Sequence, residues 1–509
     1  MRNCILFLVT LAPLTAGIQE PLRVEGGMIS GVASEAPGIR AFKGIPYAEP
    51  PVGELRWRAS RPSNGWDGVR AAAEFGADCQ QGSARGRAMS EDCLFLNVWT
   101  PAESAEDNLP VLVWVHGGGW RGGSGALAPG NAEGLAAKGL VVVTFNYRVG
   151  ALGFLSHASL SEESGRNASG NYGLMDQVAA LQWVQRNISA FGGDAGRVTI
   201  AGSSAGGYAV SFLMATPLAK GLFHAAIGEC GGAFDGSLTL ATAEGEGEQF
   251  ARRLSSASLA EMRAKPAAEV IEASGVFRPV VDGYVLPSDV YTIFAEGRQN
   301  DVPVLTGSNS DESTILAPPP GAAVFQREVK RIFAEMADGF FKLYPAGSDE
   351  EAVTSFFAAR RDQTFAAHWT WARMVTKAGN HRAYLYYFAH PPAYPPGSPQ
   401  ANRGATHGAE TRYVWNNLLP KEWPWTDSDR KLVETMSSYW ANFAAKGDPN
   451  GPGLPAWRAY SDSEAQVMRF GDTPEMAPLP HRRFLEFLAA SYAAHRNFLS
   501  TSNSWDWTN

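Results

Sequence analysis

The amino-acid sequence predicts an α/β protein built on a large, mostly parallel central sheet. The first observation is a set of short apolar runs that lack strict alternation and end in glycine-rich or polar segments, namely 109–118, 140–148, 197–204, 302–309 and 382–390. Such runs are typical of strands covered on both faces. The second is the stretch 173–188, where apolar residues recur at helical spacing. Alternating strands and helices favour a sheet flanked by helices.

The N-terminal part and the chain length refine this picture. Segments 26–33 and 39–48 predict a small antiparallel hairpin at the edge of the sheet. A chain of 509 residues has room for about three domains. No linker, repeat or charge run divides it, so we expect a single domain over residues 17–509.

Residues 1–16 predict a secretory signal peptide. Arg2 is followed by a short apolar stretch and then by small residues, and no later apolar run reaches the roughly 20 residues that span a bilayer. We therefore expect a secreted or periplasmic protein without stable membrane insertion. Asn167 and Asn187 each begin a glycosylation sequon.

The net charge of -8 argues against a nucleic-acid partner, because the sequence has no basic stripe, zinc-finger spacing or RNA-binding aromatic motif.

Cysteine usage agrees with export. Cys79 and Cys93 bracket a polar loop and would form a disulfide in an oxidising compartment. A third cysteine lies within residues 1–16. Cys230 is then unpaired, and we interpret it as an inert buried thiol at a strand end.

Polar and glycine-rich segments follow the predicted strands at the edge where open α/β sheets place function. After successive strands come the segments 116–120, 202–206, 310–312 and 404–410. A serine, a pair of acids and a histidine thus follow strand ends in that chain order.

Residues 202–206 read Gly-Ser-Ser-Ala-Gly, which fits the Gly-x-Ser-x-Gly pattern of a nucleophile elbow. In this pattern a tight strand-to-helix turn projects the central hydroxyl above the sheet. The central residue is Ser204, and Ser203 takes the variable position. An ordinary Gly/Ser turn is the alternative, but the strand before it and the helix after it favour the elbow.

A serine nucleophile needs a base, and the base needs a carboxylate that holds its tautomer. His407, in a glycine-containing loop late in the chain, is the best candidate base, and His390 is the runner-up. His116 belongs to the earlier glycine loop. Asp311 and Glu312 compete for the acid role, and the local sequence does not choose between them.

The glycine loop supplies candidate oxyanion donors. Residues 117–119 have no side chains that block their backbone N–H groups, which together with the N–H of Ala205 predict an oxyanion hole. A phosphate-binding loop is the alternative, but the P-loop pattern is missing. Residues 407–410 resemble a metal pair without a third ligand motif, so neither cofactor nor metal is expected.

Over about residues 22 to 490 the sequence resembles the type-B carboxylesterase/lipase family, the cholinesterase-like branch of the α/β-hydrolase fold. The segments that carry the resemblance are FKGIPYAEPPVGELRWR, SEDCLFLNVWTP, VWVHGGGWRGGSG, FNYRVGALGFL, GNYGLMDQVAALQWVQRNISAFGGD, GSNSDES, GATHGAETRYVW and MSSYWANFAAKGDPNGPGLPAW.

The resemblance assigns the acid. In the family it is the glutamate of Asn-x-Asp-Glu-Gly, which maps to Glu312, although Ser313 stands where the family has glycine. The family's His-Gly-x-Glu segment maps its base to His407 and implies that Glu410 supports the site from behind.

Two departures from the family bear on substrate. The Cys79–Cys93 pair resembles the family's first disulfide, but the loop between the two cysteines lacks the aromatic residue that stacks on choline in cholinesterases. The elbow, usually Gly-Glu-Ser-Ala-Gly, has Ser203 in place of glutamate. Choline esters are therefore not expected to be preferred.

Together these features predict a secreted serine carboxylesterase that hydrolyses small-molecule esters through an acyl-enzyme and needs no cofactor. A lipase for longer-chain acylglycerols is the alternative within the same class. A non-catalytic adhesion protein on this fold is the alternative from another class, and the presence of both a nucleophile and a base argues against it. The predicted machinery is the triad Ser204, Glu312 and His407 with the oxyanion donors Gly118, Gly119 and Ala205.

Overall fold

The computed structural model describes residues 18–84, 86–127, 132–312 and 319–494. The predicted signal peptide, residues 1–16, lies outside the described residues, and so does Ser313.

A large mixed sheet dominates the described residues and contains eleven strands. In chain order they are β1 Val32–Ala33, β2 Arg40–Pro46, β3 Phe95–Thr100, β4 Leu109–Val115, β5 Val141–Phe145, β6 Gly193–Ser203, β7 Ala225–Glu229, β8 Val304–Asn309, β9 Ala383–Phe388, β10 Gln466–Phe470 and β11 Pro474–Pro478. Their spatial order is β11-β10-β9-β8-β7-β6-β4-β5-β3-β2-β1.

The seven strands from β10 to β5 pair in parallel, while β11 at one edge and β3 to β1 at the other pair antiparallel. The predicted large, mostly parallel sheet is thus confirmed.

Helices cover both faces of this sheet. Within the described residues they are α1 Glu133–Ala136, α2 Gly150–Phe154, α3 Ala158–Glu163, α4 Tyr172–Asn187, α5 Ala205–Ala215, α6 Leu240–Arg253, α7 Leu259–Ala264, α8 Ala267–Glu272, α9 Val290–Ala295, α10 Ala322–Phe333, α11 Ala337–Leu343, α12 Asp349–Ala378, α13 Thr411–Val414, α14 Asp427–Lys446 and α15 Arg482–Ala494. The helix predicted over 173–188 is α4.

Strand β4 explains why the predicted runs show no polar alternation. Val111, Val113 and Val115 face the core that contains α4, α5 and α12, whereas Leu112 and Trp114 face the core that contains α14. Because both faces of the strand are covered, every second residue is apolar as well. The same double burial holds along β5, whose five residues are all buried.

All five predicted strands exist, but most are shorter than predicted. The run 109–118 leaves the sheet after Val115, so the residues from His116 onward form a loop above it. Strand β7, with the sequence AAIGE, is missing from the five predicted apolar runs because alanine and glycine have low strand propensity, and the sequence indicated only that a strand ends before Cys230. It lies between β6 and β8.

The small N-terminal antiparallel hairpin is confirmed, although only part of the two predicted segments forms it. Strands β1 and β2 pair antiparallel at the sheet edge, as expected for part of the two segments. Residues Gly27–Ser30 instead pair antiparallel with Leu22–Val24, and they join Val69–Ala71 in a separate three-stranded sheet. A two-residue turn with Gly26 at φ 97° makes this local pairing possible.

The expected covalent link is present, since Cys79 and Cys93 form a disulfide. Of the two sequon asparagines, Asn187 is buried, and its carboxamide accepts from Glu25 N and donates to Trp183 O. Asn167 is exposed and is the accessible sequon of the two. Across the described helices, none combines the length and apolarity needed to cross a membrane.

Candidate active site

Ser204 occupies a strained turn between β6, which ends at Ser203, and α5, which begins at Ala205. Its backbone has φ 60° and ψ -127°, a conformation that residues with a Cβ atom rarely adopt. Strain of this kind persists only where the surroundings impose it. Here the Ser204 N–H donates to the carbonyl of Glu229 over 2.9 Å, which ties the turn to the end of β7.

The two glycines of the elbow are required by close backbone packing. A Cβ atom on Gly206 would lie 2.1 Å from the carbonyl oxygen of Val115, and one on Gly202 would lie 2.6 Å from the Gly206 backbone. Any larger residue would push the turn away from β4. The sequence pattern therefore reflects a steric demand of this sheet.

Glu312 and His407 are brought together from two distant loops. Glu312 follows β8, His407 precedes α13, and Glu312 Oε2 lies 2.5 Å from His407 Nδ1. The Glu312 side chain is 1% exposed and that of His407 17%. Glu312 Oε1 accepts from Asn309 N over 2.8 Å, so both carboxylate oxygens are held. With Nδ1–H of His407 donating to Glu312, Nε2 is left to act as a base.

The electrostatics of the pair follow from burial and mutual charge. Burial raises the pKa of Glu312, but the charge and hydrogen bond of His407, with donors from Cys230 and Asn309, outweigh it and lower the pKa below its usual value. Burial lowers the pKa of His407, but the charge and hydrogen bond of Glu312, with the charge of Glu410, raise it above its usual value. Glu312 is thus held ionised next to a histidine with strengthened basicity.

Asp311, the competing acid, faces a different partner. Its carboxylate accepts from Ala405 N over 3.0 Å and from Ser310 Oγ over 2.6 Å, and its own N–H donates to Ala405 O. Adjacent residues point apart here, so Asp311 braces the loop that carries His407 while Glu312 contacts the imidazole.

The elbow and the acid–base pair are neighbours, but no hydrogen bond joins Ser204 Oγ to His407 among the described residues. Such bonds are often long or misaligned before substrate binds. On the elbow side, Glu410 Oε1 lies 3.4 Å from Ser203 Oγ, and the same oxygen lies 3.1 Å from Cys230 Sγ.

Two of the predicted oxyanion donors, Gly118 and Gly119, belong to a loop that approaches Ser204 at Gly117. A Cβ atom on Gly117 would be 3.1 Å from Ser204 Cβ, so the glycine loop passes directly over the serine. Gly118 and Gly119 are exposed and have φ 120° and 62°. Ala205 is the first residue of α5, where N–H groups have no partner within the helix.

Sequence reasoning missed most of the polar cluster behind His407. Glu410 Oε2 accepts from Asn309 Nδ2 over 2.5 Å, and the same amide donates to Thr406 O over 2.8 Å. Asn309 therefore links the loops of Glu312 and His407. Two signals pointed toward this cluster, namely the predicted strand end at Cys230 and the family resemblance, which implied a supporting role for Glu410.

Glu229 is a further buried acid of the cluster. It is fully buried, and its Oε1 accepts from Trp440 Nε1 over 2.7 Å. Burial, together with the charge of Glu410, raises the pKa of Glu229 well above its usual value, which favours the protonated carboxyl group.

The other candidate histidines have different partners. His390, the runner-up base, lies between Asp429 and Asp472, 2.9 Å from each. His116 stacks on Tyr147 with ring centroids 4.1 Å apart. Neither imidazole is bonded to Glu312.

One set of side chains within the described residues has metal-ligand spacing. Cys230, Glu312 and His407 offer atoms that all lie within 4.8 Å of one another. The facing atoms of the acid and the imidazole already share a hydrogen bond. Burial, followed by the charges of Glu312 and Glu410, raises the pKa of the Cys230 thiol well above its usual value, which disfavours the thiolate that binds metals. The geometry is that of an acid–base pair beside a neutral thiol.

Comparison with known proteins agrees with this geometry. Residues 19–488 match the model of the carboxylesterase family. A fumonisin B1 esterase of Sphingopyxis macrogoltabida is 36% identical over 499 residues, covering 91% of this chain and 89% of that protein. The precursor of a medium-chain fatty acyl-CoA hydrolase of Anas platyrhynchos is 32% identical over 550 residues, covering 96% of each.

Solved structures give the same answer for the fold. A PNB esterase superposes with a TM-score of 0.81 at 31% identity, covering 93% of this chain and all of that one. The expected resemblance and the α/β-hydrolase fold are thereby confirmed. The chain belongs to the carboxylesterase family and is a carboxylic ester hydrolase.

Proposed function

We propose that this ester hydrolase is a secreted serine carboxylesterase in which Ser204 is the nucleophile, His407 the general base and Glu312 the acid that orients the base. The observation that carries the proposal is the Glu312–His407 hydrogen bond beside a serine held at φ 60° on a strand-to-helix turn. No other histidine among the described residues is bonded to Glu312.

Acylation begins when His407 Nε2 takes the proton of Ser204 Oγ as the oxygen attacks the ester carbonyl. The resulting imidazolium is stabilised by the Glu312 carboxylate. The carbonyl oxygen gains negative charge, which the N–H groups of Gly118, Gly119 and Ala205 stabilise. One such donor contributes about 3–4 kcal/mol to the barrier reduction in comparable sites.

The tetrahedral intermediate collapses when His407 passes its proton to the leaving alcohol oxygen, and the C–O bond to that alcohol breaks. Water then enters, His407 removes one of its protons, and the hydroxide attacks the acyl carbon. The serine leaves with the proton held by His407, which releases the carboxylic acid and restores the enzyme.

Export is the second part of the proposal. The Cys79–Cys93 disulfide suits an oxidising compartment, and residues 1–16 carry the pattern of a cleaved signal. The expected location is therefore extracellular or periplasmic. N-terminal sequencing of the protein recovered from a native exporting host tests this, with cleavage near Ala16 as the expected result and an intact N-terminus in the cell interior as the contrary one.

Covalent labelling tests the assignment of the nucleophile. A fluorophosphonate reacts with an activated serine, so intact-mass and peptide analysis should find one adduct, on Ser204. Ser204→Ala should lose both labelling and hydrolysis of a p-nitrophenyl ester while keeping the native melting temperature. Ser203→Ala is the matched control, since it removes the neighbouring hydroxyl, and it should retain labelling and most activity. An adduct on Ser203, or hydrolysis by Ser204→Ala, contradicts the proposal.

A further inference from the structure

Cys230 adopts an unusual backbone conformation at the centre of the site. It follows β7 immediately, is 3% exposed, and has φ 50°, a left-handed value that is unfavourable for a residue with a Cβ atom. Its N–H donates to Gly307 O over 2.9 Å, which fixes the turn against β8. Outliers of this kind mark positions where the surrounding structure imposes the direction of a side chain.

The direction of the Cys230 side chain is toward carboxylates, not toward an apolar core. Sγ lies 3.1 Å from Glu410 Oε1, and it lies within 4.8 Å of the ligand atoms of Glu312 and His407. Glu410 also accepts from Ser203 Oγ and from Asn309 Nδ2. The thiol is thus one of three donors that hold this carboxylate.

The thiol suits this place because it stays neutral. Burial and the two nearby carboxylates favour the protonated form, so the S–H group donates a hydrogen bond without adding negative charge. A thiolate here would repel both Glu312 and Glu410. A space-filling side chain would leave Glu410 with one donor fewer.

We infer that Cys230 is a positioning residue, whose thiol holds Glu410 in place behind the acid–base pair and so keeps Glu312 and His407 in their working arrangement. The inference rests on the proposed Ser204–His407–Glu312 mechanism and deepens it. The thiol touches no substrate, and it acts through the two carboxylates.

The charged groups around His407 give the inference a pH signature. After burial, which lowers it, the pKa of His407 depends on three charges: Glu312 and Glu410 raise it, and Arg360 lowers it. Burial and the charge of Glu312 raise the pKa of Glu410, while its bonds to Asn309 and Cys230 lower it. Without the thiol, Glu410 takes up a proton more readily, and the charge that it exerts on His407 falls.

A substitution of Cys230 does not replace the other titratable groups that interact electrostatically with Glu410. Glu229, Tyr386 and Tyr394 are the further groups coupled to Glu410. A change in the pH profile of a Cys230 variant therefore reports on the lost S–H group itself.

The test compares Cys230→Ala and Cys230→Ser by full kinetics on a soluble neutral ester. Cys230→Ala should lower kcat about tenfold with KM within about twofold of native, since the loss falls on the chemical step. The acid limb of its kcat/KM profile should move to lower pH. Cys230→Ser keeps a donor at the same position and should recover most of kcat and the native profile.

Thr199→Ala is the matched control. Thr199 is also buried and donates to a carbonyl, that of Ala444, but it lies opposite Ala225 at the start of β7, at the other end of that strand from Cys230. It should lose stability without a change in the pH profile. The inference is overturned if Cys230→Ala and Cys230→Ser have the same kcat and both keep the native pH profile of kcat/KM. Failure of the proposed mechanism is separate, because it appears as residual activity in Ser204→Ala.

An infrared measurement keeps the inference testable if Cys230→Ala does not fold. In protein lacking residues 1–16, Cys230 is the one thiol, since Cys79 and Cys93 are paired. The S–H stretching band of the native enzyme should be lowered by bonding to a carboxylate. Glu410→Gln, which replaces that acceptor with a weaker amide, should move the band to higher frequency. A band that is unchanged by Glu410→Gln overturns the inference.

Discussion

Replacing Glu312 by glutamine should reduce kcat/KM by three to four orders of magnitude. The carboxylate has two tasks, because Oε1 accepts from Asn309 N and Oε2 faces His407 Nδ1. Glutamine has one acceptor for the two positions. If its NH₂ group faces His407, the imidazole must carry its proton on Nε2 and cannot deprotonate Ser204. Wrong-tautomer variants of such triads lose about 10⁴ in kcat, or roughly 5.5 kcal/mol.

The opposite amide orientation, which the buried N–H of Asn309 disfavours, would give a smaller loss than the wrong tautomer. With its oxygen toward His407, the glutamine NH₂ meets the N–H of Asn309, and a buried donor without an acceptor costs about 1–3 kcal/mol. That cost alone corresponds to a loss of about 5- to 150-fold. In the proposed mechanism the missing negative charge would also leave the imidazolium without stabilisation, so we expect rates below native in this orientation as well.

The assay is initial-rate hydrolysis of p-nitrophenyl butyrate by native enzyme, Glu312→Gln and Asp311→Asn. Asp311→Asn is the matched control, since asparagine still accepts from Ala405 N, and it should stay within about fivefold of native. The reasoning is refuted if Glu312→Gln keeps a rate within tenfold of native while Asp311→Asn is inactive.

Three further predictions concern pH, stability and substrate. Burial lowers the pKa of His407, but the neighbouring carboxylates raise it more, so the pKa lies above its usual value. We therefore expect kcat/KM to rise with pH through one ionisation above about pH 6.5. An ionisation below that pH contradicts the assignment of His407 as the base. The buried Arg148 guanidinium is bonded to Asp176 at 2.8 Å, and Asp176→Ala removes that partner. Urea unfolding should show a free energy of unfolding about 3–5 kcal/mol lower than native, while KM stays unchanged. Because residues 80–92 contain no aromatic ring and Ser203 carries no charge, butyrylcholine should show less than about a tenfold kcat/KM advantage over a neutral butyrate ester of matched leaving-group pKa.

The central strands were predictable because their physical cause is local. Strands Val141–Phe145 and Ala383–Phe388 are buried on both faces, and they consist almost entirely of apolar and aromatic residues. Strand Ala225–Glu229 has the same burial but consists mainly of small residues, since a Cβ on Gly228 would lie 2.3 Å from the Trp371 ring. Its place in the sheet depends on a side chain that comes over 140 residues later, which no local pattern reveals.

The site divides in the same way. The elbow around Ser204 has a local steric cause and a recognisable sequence. The choice of Glu312 over Asp311 depends on which loop lies opposite each, so the residues alone left it open and the resemblance to a family was needed. The position of Cys230 beside Glu410 depends on contacts between residues 180 positions apart, and sequence reasoning described that thiol as inert.

The elbow's departure from the family pattern follows from the charges behind it. Glu229, Glu312 and Glu410 already place three carboxyl groups in a buried cluster. Each added charge in such a place is costly unless it is paired, and burial and mutual repulsion already raise the pKa of the first and the third. Ser203 and Cys230 are neutral donors, and both lie within hydrogen-bond distance of Glu410. A glutamate in place of Ser203 would replace a donor with a competing acid and would push Glu410 toward its protonated form. Ser203 therefore adds a neutral donor to this cluster instead of a fourth acid, and it leaves Ser204 without the negative neighbour that would attract a cationic substrate.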